Sequence, residues 1–412
     1  MSRPLLLLVD SSWEDYRDYL LESIAREYRI WLLSSHEPSW ELRSVVGSTL
    51  VDTLDAEATL AAARRLAART RIDGVYCYDE ARILVAARVA ELLGLPGGEP
   101  DVIYRCRDKR ATREALSAAG VPQPGSIVAR DAAEARAAAA RLGFPLVLKP
   151  RALAASEGVI RVDSAAELDA AFGFARAKTL PEAPDFNDAV LVEEYVDGLE
   201  VSVDALCFRG RVTSVFVARK LLGFEPSFAE VGHLVDGADP LLRDPELTGV
   251  VAAALGAVGF RDGWAHVEVK LPAAGGPKVI EINGRQGGDL IPYLGLRATG
   301  IDPGLAGAAV ACGREPDLRP RRSRVAGIRF CYPRQDGVVE RVAVDRAALP
   351  PQVDRVRVLA RPGEELLLPP RSHLHARCAY CTAIAASVEE CLEALDAAVA
   401  AVEAVPAAPL LA

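Results

Sequence analysis

Polar and apolar residues alternate along residues 265–271, with His266, Glu268 and Lys270 on one side and Val267, Val269 and Leu271 on the other, the period of a strand buried on one face. Gly275, Gly276 and two prolines interrupt the pattern. Residues 278–283 then resume it, with Ile280 and Ile282 apolar and Val279, Glu281 and Asn283 opposite. The two runs predict a hairpin. A symmetric loop from Pro272 to Pro277 pairs Leu271 with Lys278, Val269 with Ile280 and Glu268 with Glu281. Facing side chains sit roughly 4.5–5.5 Å apart at Cβ, where two carboxylates repel and require a positive charge between them. Asn283 adds a neutral oxygen on the same face, giving the oxygen-only set that Mg²⁺ takes while it also holds substrate phosphates. Arg285 follows within reach of such a phosphate. A solvated sheet face with a chance carboxylate pair is the competing reading.

Upstream, the apolar run 4–9, a helix over 13–27, a strand over 28–33, an alanine-rich helix over 56–69 and a strand over 74–78 alternate along the chain. That order predicts a small parallel sheet. Glu80 follows one strand at its carboxyl end, where α/β sheets place ligands; a helix-capping acid beside Asp79 explains it equally well. A second unit opens at Arg105, with Asp108 as a helix N-cap and Gly120 as a stop. A helix over 131–142 leads to a strand over 145–150 whose last outward residue is Lys149. The turn 151–158, with Ala152, Ala154, Ala155, Ser156 and Gly158, returns as a strand over 159–162. Such a turn covers phosphates with backbone N–H groups while the ammonium neutralises them. Many surface hairpins carry a lysine and a serine, so this signal is weak alone.

A helix over 165–177 and a proline-rich acidic connection over 180–188 precede two strands within 190–206, joined by a turn at Asp197 and Gly198. Exposed backbone between apolar walls suits a purine, with Glu200 placed for ribose hydroxyls; a charged hairpin end is the blander alternative. The cluster His373, His375, Cys378 and Cys381 has a C-x-x-C that suits zinc, but residues 378–385 are apolar and strand-like, which favours buried core thiols. The last helix, over 387–402, carries Cys391, Leu392, Leu395 and Val399 on one side, and residues 406–412 are expected to fray.

At 412 residues the chain has room for two to three domains, and 50% hydrophobic with 25% charged residues is ordinary globular composition. A net charge of −9 argues against a nucleic-acid or anionic-membrane surface. No segment approaches a signal peptide's apolar region or a membrane span, so the chain reads as cytoplasmic. Eight cysteines scattered over this length read as reduced thiols.

Taken in order, RDKRATREALSAAGVPQP, PLVLKP, LVEEYVDGLEVSV, HVEVKL and EINGRQGGD resemble the ATP-grasp superfamily of carboxylate-amine ligases, over residues 107–312. FAEVGHLVDG at 228–237, NGRQGGDLIP, and AGIRFCYPRQDGVVERV at 326–342 are similar to the dipeptide-forming L-amino-acid ligases within it. The resemblance implies a mixed α/β and α+β protein. An N-terminal parallel α/β domain would cover 1–106, an ATP-grasp domain 107–312 with a mobile lid over about 122–193, and a C-terminal α+β domain 313–412. It implies that Lys109, Lys149 and Ser156 meet ATP phosphates, that Glu193, Glu194 and Val196 line the adenine, and that Glu200 takes the ribose. Glu268, Glu281 and Asn283 would hold Mg²⁺, as two ions, with Mn²⁺ as a substitute. Arg285 would meet an acyl phosphate. Glu230 and His233 would receive the amino acid, His233 either as base, as binding group or as a satisfied core histidine, and Gly288 and Asp289 would shape the substrate pocket. A small acid at 289, where those ligases often have a bulky residue, leaves the accepted side chains open.

The implied reaction activates an amino acid's carboxylate as an acyl phosphate and transfers it to an amine, releasing ADP and phosphate. Alanine at Glu281 or Lys149 would then abolish phosphate release and leave the fold intact. A different carboxylate, or loading of an amino acid onto a carrier-protein thiol, is the alternative within the same fold, and a non-catalytic nucleotide-binding module is a third class. Partners would be small amino acids and amines. Large α/β ligases often pair, which leaves a homodimer open.

Overall fold

A computed structural model describes residues 3–97, 99–153, 156–179, 186–225 and 227–407. It divides into two compact units: residues 1–123, 201–217 and 239–321 form the first, and residues 124–200, 218–238 and 322–412 the second. The fold is mixed α/β, with a parallel N-terminal sheet and antiparallel sheets elsewhere.

The first unit begins with β1 (Leu5–Val9), α1 (Glu14–Glu27), β2 (Arg29–Ser34), β3 (Gly47–Leu50), α2 (Ala56–Ala67), β4 (Gly74–Tyr76) and α3 (Ile83–Leu93). The strands lie in the order β3-β2-β1-β4 and every pair is parallel. Covered on both faces, β1 is apolar at every position and wholly buried, as central parallel strands require. β3 was not legible in the sequence because it is a half-exposed edge without an apolar run. It is held instead by the Trp31 ring, which lies so close to Gly47 that a Cβ there would meet it at 2.5 Å. Trp31 also donates to Thr49 at 3.0 Å. Next come α4 (Pro100–Arg107) and α5 (Lys109–Ala118), with Asp108 between them as the expected N-cap, accepting from the Arg110 amide at 3.1 Å.

The second unit opens with β5 (Ser126–Ala129), α6 (Ala132–Leu142), β6 (Leu146–Pro150), β7 (Ile160–Val162), α7 (Leu168–Ala177) and β8 (Val190–Glu194). Its sheet runs β5-β8-β6-β7, entirely antiparallel. Ala135, Ala138 and Ala139 of α6 and Phe172 of α7 pack with Leu146, Leu148 and Val192 into one core. Small side chains let those helices lie close to the sheet. The turn residues Ala154 and Ala155 and positions 180–185 of the acidic connection lie outside the described residues.

The chain passes between units inside β9 (Leu199–Phe208) and β10 (Arg211–Gly223), and β11 (Ala229–Asp236) pairs antiparallel with the second half of β10. The first unit continues through α8 (Pro245–Val258), β12 (Gly263–Leu271), β13 (Lys278–Asn283), α9 (Ile291–Thr299) and α10 (Pro303–Ala311). There β13, β12, β9 and β10 are successive neighbours over a core of Val201, Val203, Val267, Val269, Val279, Leu255 and others. The second unit ends with β14 (Val325–Cys331), β15 (Gly337–Val344), β16 (Val353–Val358), β17 (Glu365–Leu366), β18 (Ala379–Ala385), α11 (Val388–Ala400) and β19 (Val402–Pro406). β11, β14, β18 and β16 are neighbours in that order, with α11 packed on them through Cys391 and Leu395. Pro406, expected to fray, instead closes β19 and pairs with Val339 of β15. No helix among the described residues is long and apolar enough to cross a membrane.

All eight cysteines are free thiols. Cys378 and Cys381 are fully buried against Cys331, with the Cys331 and Cys381 sulfurs 3.9 Å apart, whereas His375 is exposed. Among the described residues the four side chains of HLHARCAYC therefore do not converge on one metal position. His373 is buried with neither ring nitrogen hydrogen-bonded to a described residue, and its backbone amide donates to Glu157 at 3.2 Å. Burial lowers its pKa, and the opposing pull of Glu157 and Glu230 is itself countered by Lys178 and Arg377. The folded protein thus keeps His373 neutral below the pH at which the unfolded chain protonates it, near 6.5. Stability falls as pH drops through that value, because the unfolded state then binds the extra proton. His373→Gln is expected to flatten the decline between about pH 7 and 5, read from urea unfolding at fixed pH; an unchanged slope counts against it.

Candidate active site

Lys109 and Arg113 stand one turn apart on α5 and so share a face that looks onto β13. Lys109 Nζ lies 3.2 Å from Glu281 Oε1, and Arg113 donates to the carbonyls of Val279 and Ile280 at 3.1 and 2.7 Å. Those carbonyls mark the difference from the symmetric hairpin. Glu268 does face Glu281 as expected, but Val269 then pairs with Val279 and Lys270 with Lys278, which leaves Ile280 as the extra residue of a bulge. Val279, placed on the carboxylate side by simple alternation, is fully buried in the core with Ile282. The reason is Arg113, which is distant in sequence and satisfies the carbonyls the bulge leaves out of the ladder.

The facing carboxylates each have a cation from the protein itself. Lys109 serves Glu281, and His266 Nε2 lies 3.7 Å from Glu268 Oε1. The other His266 nitrogen is 2.9 Å from Asp204 Oδ2. Burial pulls the imidazole's pKa down, but Asp204 and Glu268 outweigh it and raise it to about 9, so His266 is a cation at neutral pH. The positive charge that the facing carboxylates require is thus supplied in part by the protein itself. Asn283 is buried and sits opposite His266 in the register.

Beyond β13, Arg285 Nε lies 2.5 Å from Glu80 Oε2 and Nη1 donates to the Gln286 carbonyl at 2.7 Å. The turn after β4 is capped by Asp79, which accepts from the Ala81 amide at 3.0 Å and leaves Glu80 for Arg285. The Gly287 amide donates to Asp204 at 2.8 Å. A Cβ on Gly287 would stand 2.8 Å from His266 Nδ1 and 3.0 Å from Asp204 Oδ2, whereas one on Gly288 would meet nothing within 4 Å. Gly287→Ala is accordingly expected to cost about 1–3 kcal/mol by forcing apart a buried ion pair, measured by denaturant unfolding, with Gly288→Ala as the mild control. Asp289 and Leu290 follow with φ of 50° and 62°. Two consecutive left-handed non-glycine residues are strained, and the fully buried Leu290 side chain holds them there.

In the second unit, Lys149 Nζ lies 2.7 Å from Glu193 Oε2, both side chains nearly inaccessible. Glu194 accepts from the Gly125 amide at 3.1 Å and Val196 is buried. Lys220, cross-strand partner of His233, reaches Glu200 at 2.9 Å and Glu230 at 2.7 Å. Glu230 Oε2 in turn lies 3.3 Å from His233 Nε2, with His233 fully buried. Arg377 and Tyr332 both donate to the Glu230 carbonyl at 3.2 Å. Ser156 adopts a left-handed φ of 56° in the turn after β6.

Family models match at three places: the ATP-grasp N-terminal domain over residues 35–97, the ATP-grasp domain over 142–292, and the L-amino acid ligase C-terminal domain 2 over 329–405. Over these residues the chain carries an ATP-grasp domain, flanked by segments that match an ATP-grasp N-terminal domain and an L-amino acid ligase C-terminal domain. An uncharacterized protein of Sinorhizobium fredii is 29% identical over 376 residues, 89% of this chain and 76% of its own length. Carnosine synthase 1 of Homo sapiens is 29% identical over 272 residues, 62% of this chain but only 32% of that protein. The L-amino acid ligase from Bacillus licheniformis shares the fold with a TM-score of 0.81 at 23% identity, covering 99% of this chain and 100% of that one.

Within this chain, sequence reasoning nominated Lys109, Glu281 and Glu268, Lys149 and Glu193, and Glu200, Glu230 and His233, and the structure places each of these groups together, the last through Lys220. It passed over Lys220, His266, Asp204 and Arg113. His266 had a visible signal, two residues before Glu268 on one strand face. Lys220 and Arg113 had none, since each acts through partners far along the chain.

Proposed function

We propose that the protein is an ATP-dependent ligase that converts an amino acid's carboxylate to an acyl phosphate and passes it to an amine, forming an amide or dipeptide with release of ADP and phosphate. The β12–β13 hairpin carries this reading: two facing carboxylates and a buried amide oxygen, with Lys109 and Arg285 as the adjoining cations. Glu268, Glu281 and Asn283 suit Mg²⁺ by their oxygen-only donor set. Mg²⁺ held there would neutralise phosphate charge, with Mn²⁺ as its substitute.

A carboxylate is a poor electrophile, and both proposed steps bring anions together. Catalysis then rests on positioning and charge rather than on a protein nucleophile. Lys109 and Lys149 would meet the ATP phosphates, exchanging their present carboxylate partners for them. Glu194 and the Val196 backbone would border the adenine, and Glu200, oriented by Lys220, the ribose. Arg285, pre-aimed by Glu80, would bind the acyl phosphate. Glu230 would take the amino group of the first substrate, and Gly288 and Asp289 would border its side chain. His233 is buried beside Glu230, which suits holding that carboxylate in place. In this reading residues 1–106, 107–312 and 313–412 are three domains, the sheet β5-β8-β6-β7 is the lid that keeps water from the acyl phosphate, and the enzyme works in the cytoplasm on small molecules.

The test is a phosphate-release screen over pairs of amino acids and amines, with mass analysis of products. An amide product supports the reading, and a thioester on a carrier protein would replace it with carrier loading. ATP binding without amino-acid-dependent release would reduce the protein to a nucleotide-binding module.

A further inference from the structure

Between α3 and the start of β12, with β4 and α10 as its other walls, the first unit holds a cavity of about 80 Å³. Ala86, Ala87 and Ala90 share one face of α3 and keep the space open, where longer side chains would fill it. Val75, Ile83, Phe260 and Val310 extend this apolar wall. Gln286 and Tyr76 line it as well and bring polar groups. Gln286, 1% exposed, donates through Nε2 to the Tyr76 hydroxyl at 2.5 Å and to the Pro303 carbonyl at 3.0 Å. That carbonyl can only accept, which fixes the orientation of the amide. Gln286 Oε1 is thereby left as an acceptor, and no described residue donates to it. Burial raises the pKa of the Tyr76 phenol, so it keeps its proton, and no described residue accepts that hydrogen. A buried oxygen without a donor is costly unless something outside the chain supplies one.

The lining also narrows the chemistry of what fits. Its charged members are already engaged: Arg285 is paired with Glu80, and Asp262 accepts from the Arg209 amide at 2.7 Å. The Cys77 thiol donates to the Asp79 carbonyl at 3.6 Å. An occupant therefore has no unmatched charge to meet, and an ion would lose its hydration without return. An apolar cavity of about 150 Å³ takes a benzene, so this one has room for about three or four non-hydrogen atoms. Water can supply a donor to Gln286, but it leaves the alanine face without an apolar partner. We infer that the cavity binds a small uncharged molecule, a short alkyl group bearing one hydroxyl or primary amide. Its O–H or N–H donates to Gln286 Oε1, its oxygen accepts from the Tyr76 hydroxyl, and its alkyl part lies against Ala86, Ala87 and Ala90. The site draws on no catalytic role, so it stands apart from the ligase reading and a failure of either leaves the other in place.

The experiment uses the full chain with 2-propanol and acetone as probes, which have nearly the same size and shape while only the alcohol can donate. Each is titrated by saturation-transfer NMR, and crystals of the protein soaked in 2-propanol locate the bound molecule. The alcohol is expected to bind saturably with a Kd on the order of millimolar, as its few atoms allow, and acetone about tenfold more weakly, because it leaves Gln286 Oε1 without a donor. Ala90→Leu, which fills the space from α3, should abolish binding of both. Gln286→Met keeps the side chain's length, removes the acceptor and should bring the two probes within about twofold. Urea unfolding establishes that each variant is folded, and if Ala90→Leu is not, the loss of discrimination in Gln286→Met decides alone. Absence of saturable binding, ordered water alone in the soaked cavity, equal binding of alcohol and ketone by the wild type, or a preference for the alcohol that survives in Gln286→Met overturns the inference.

Discussion

Glu281→Gln is expected to reduce amino-acid-dependent phosphate release by about 10²–10³-fold, the usual loss when one electrostatic element of a charge-neutralising site is removed, with little change in thermal midpoint. Two opposed terms explain the small stability effect. The substitution ends the repulsion between Glu268 and Glu281 across the hairpin, a gain of roughly 0.2–1 kcal/mol. It also replaces the ionic contact with Lys109 by a neutral one, and Glu281 is partly exposed, so that loss is of similar size. Activity and stability should therefore part company at this position. Phosphate release followed beside thermal unfolding reads both, and wild-type turnover in the variant would take Glu281 out of the mechanism.

The contrast between what the chain's pattern reveals and what it hides is sharpest at this hairpin. Alternation and two glycines located both strands and set Glu268 against Glu281, because a side-chain period of two leaves few registers that bury one face. The bulge at Ile280 was hidden because its cause, Arg113, lies on a helix more than 160 residues earlier. The same holds for Lys220, which ties Glu200 to Glu230, and for β3, whose hold on the sheet is a tryptophan ring over a glycine. Local chemistry such as the cap at Asp108 was legible because donor and acceptor are neighbours in sequence. Charge networks were only half legible. Each acid and lysine could be nominated alone, but which cation meets which acid depends on contacts no periodicity encodes.

That dependence changes what substitution of Lys149 should do. With Lys149 and Glu193 both nearly inaccessible and 2.7 Å apart, removing the lysine withdraws the cation beside a buried carboxylate, which commonly costs roughly 3–5 kcal/mol. Lys149→Met is thus expected to lose phosphate release and to destabilise the sheet β5-β8-β6-β7 together, so inactivity of the single variant does not separate a phosphate contact from a damaged fold. The pair Lys149→Met/Glu193→Leu makes that separation. Replacing both partners of a buried ion pair by apolar groups is often neutral or stabilising, so the double variant should unfold near the wild-type midpoint. Its phosphate release should nonetheless stay at the single variant's level, because methionine offers no charge to a phosphate. Urea unfolding of the two single variants and the double gives the coupling energy, and turnover is measured on the same preparations. Recovery of turnover along with stability would mean that Lys149 serves only Glu193, and the lysine at the end of β6 would then have no part in binding ATP.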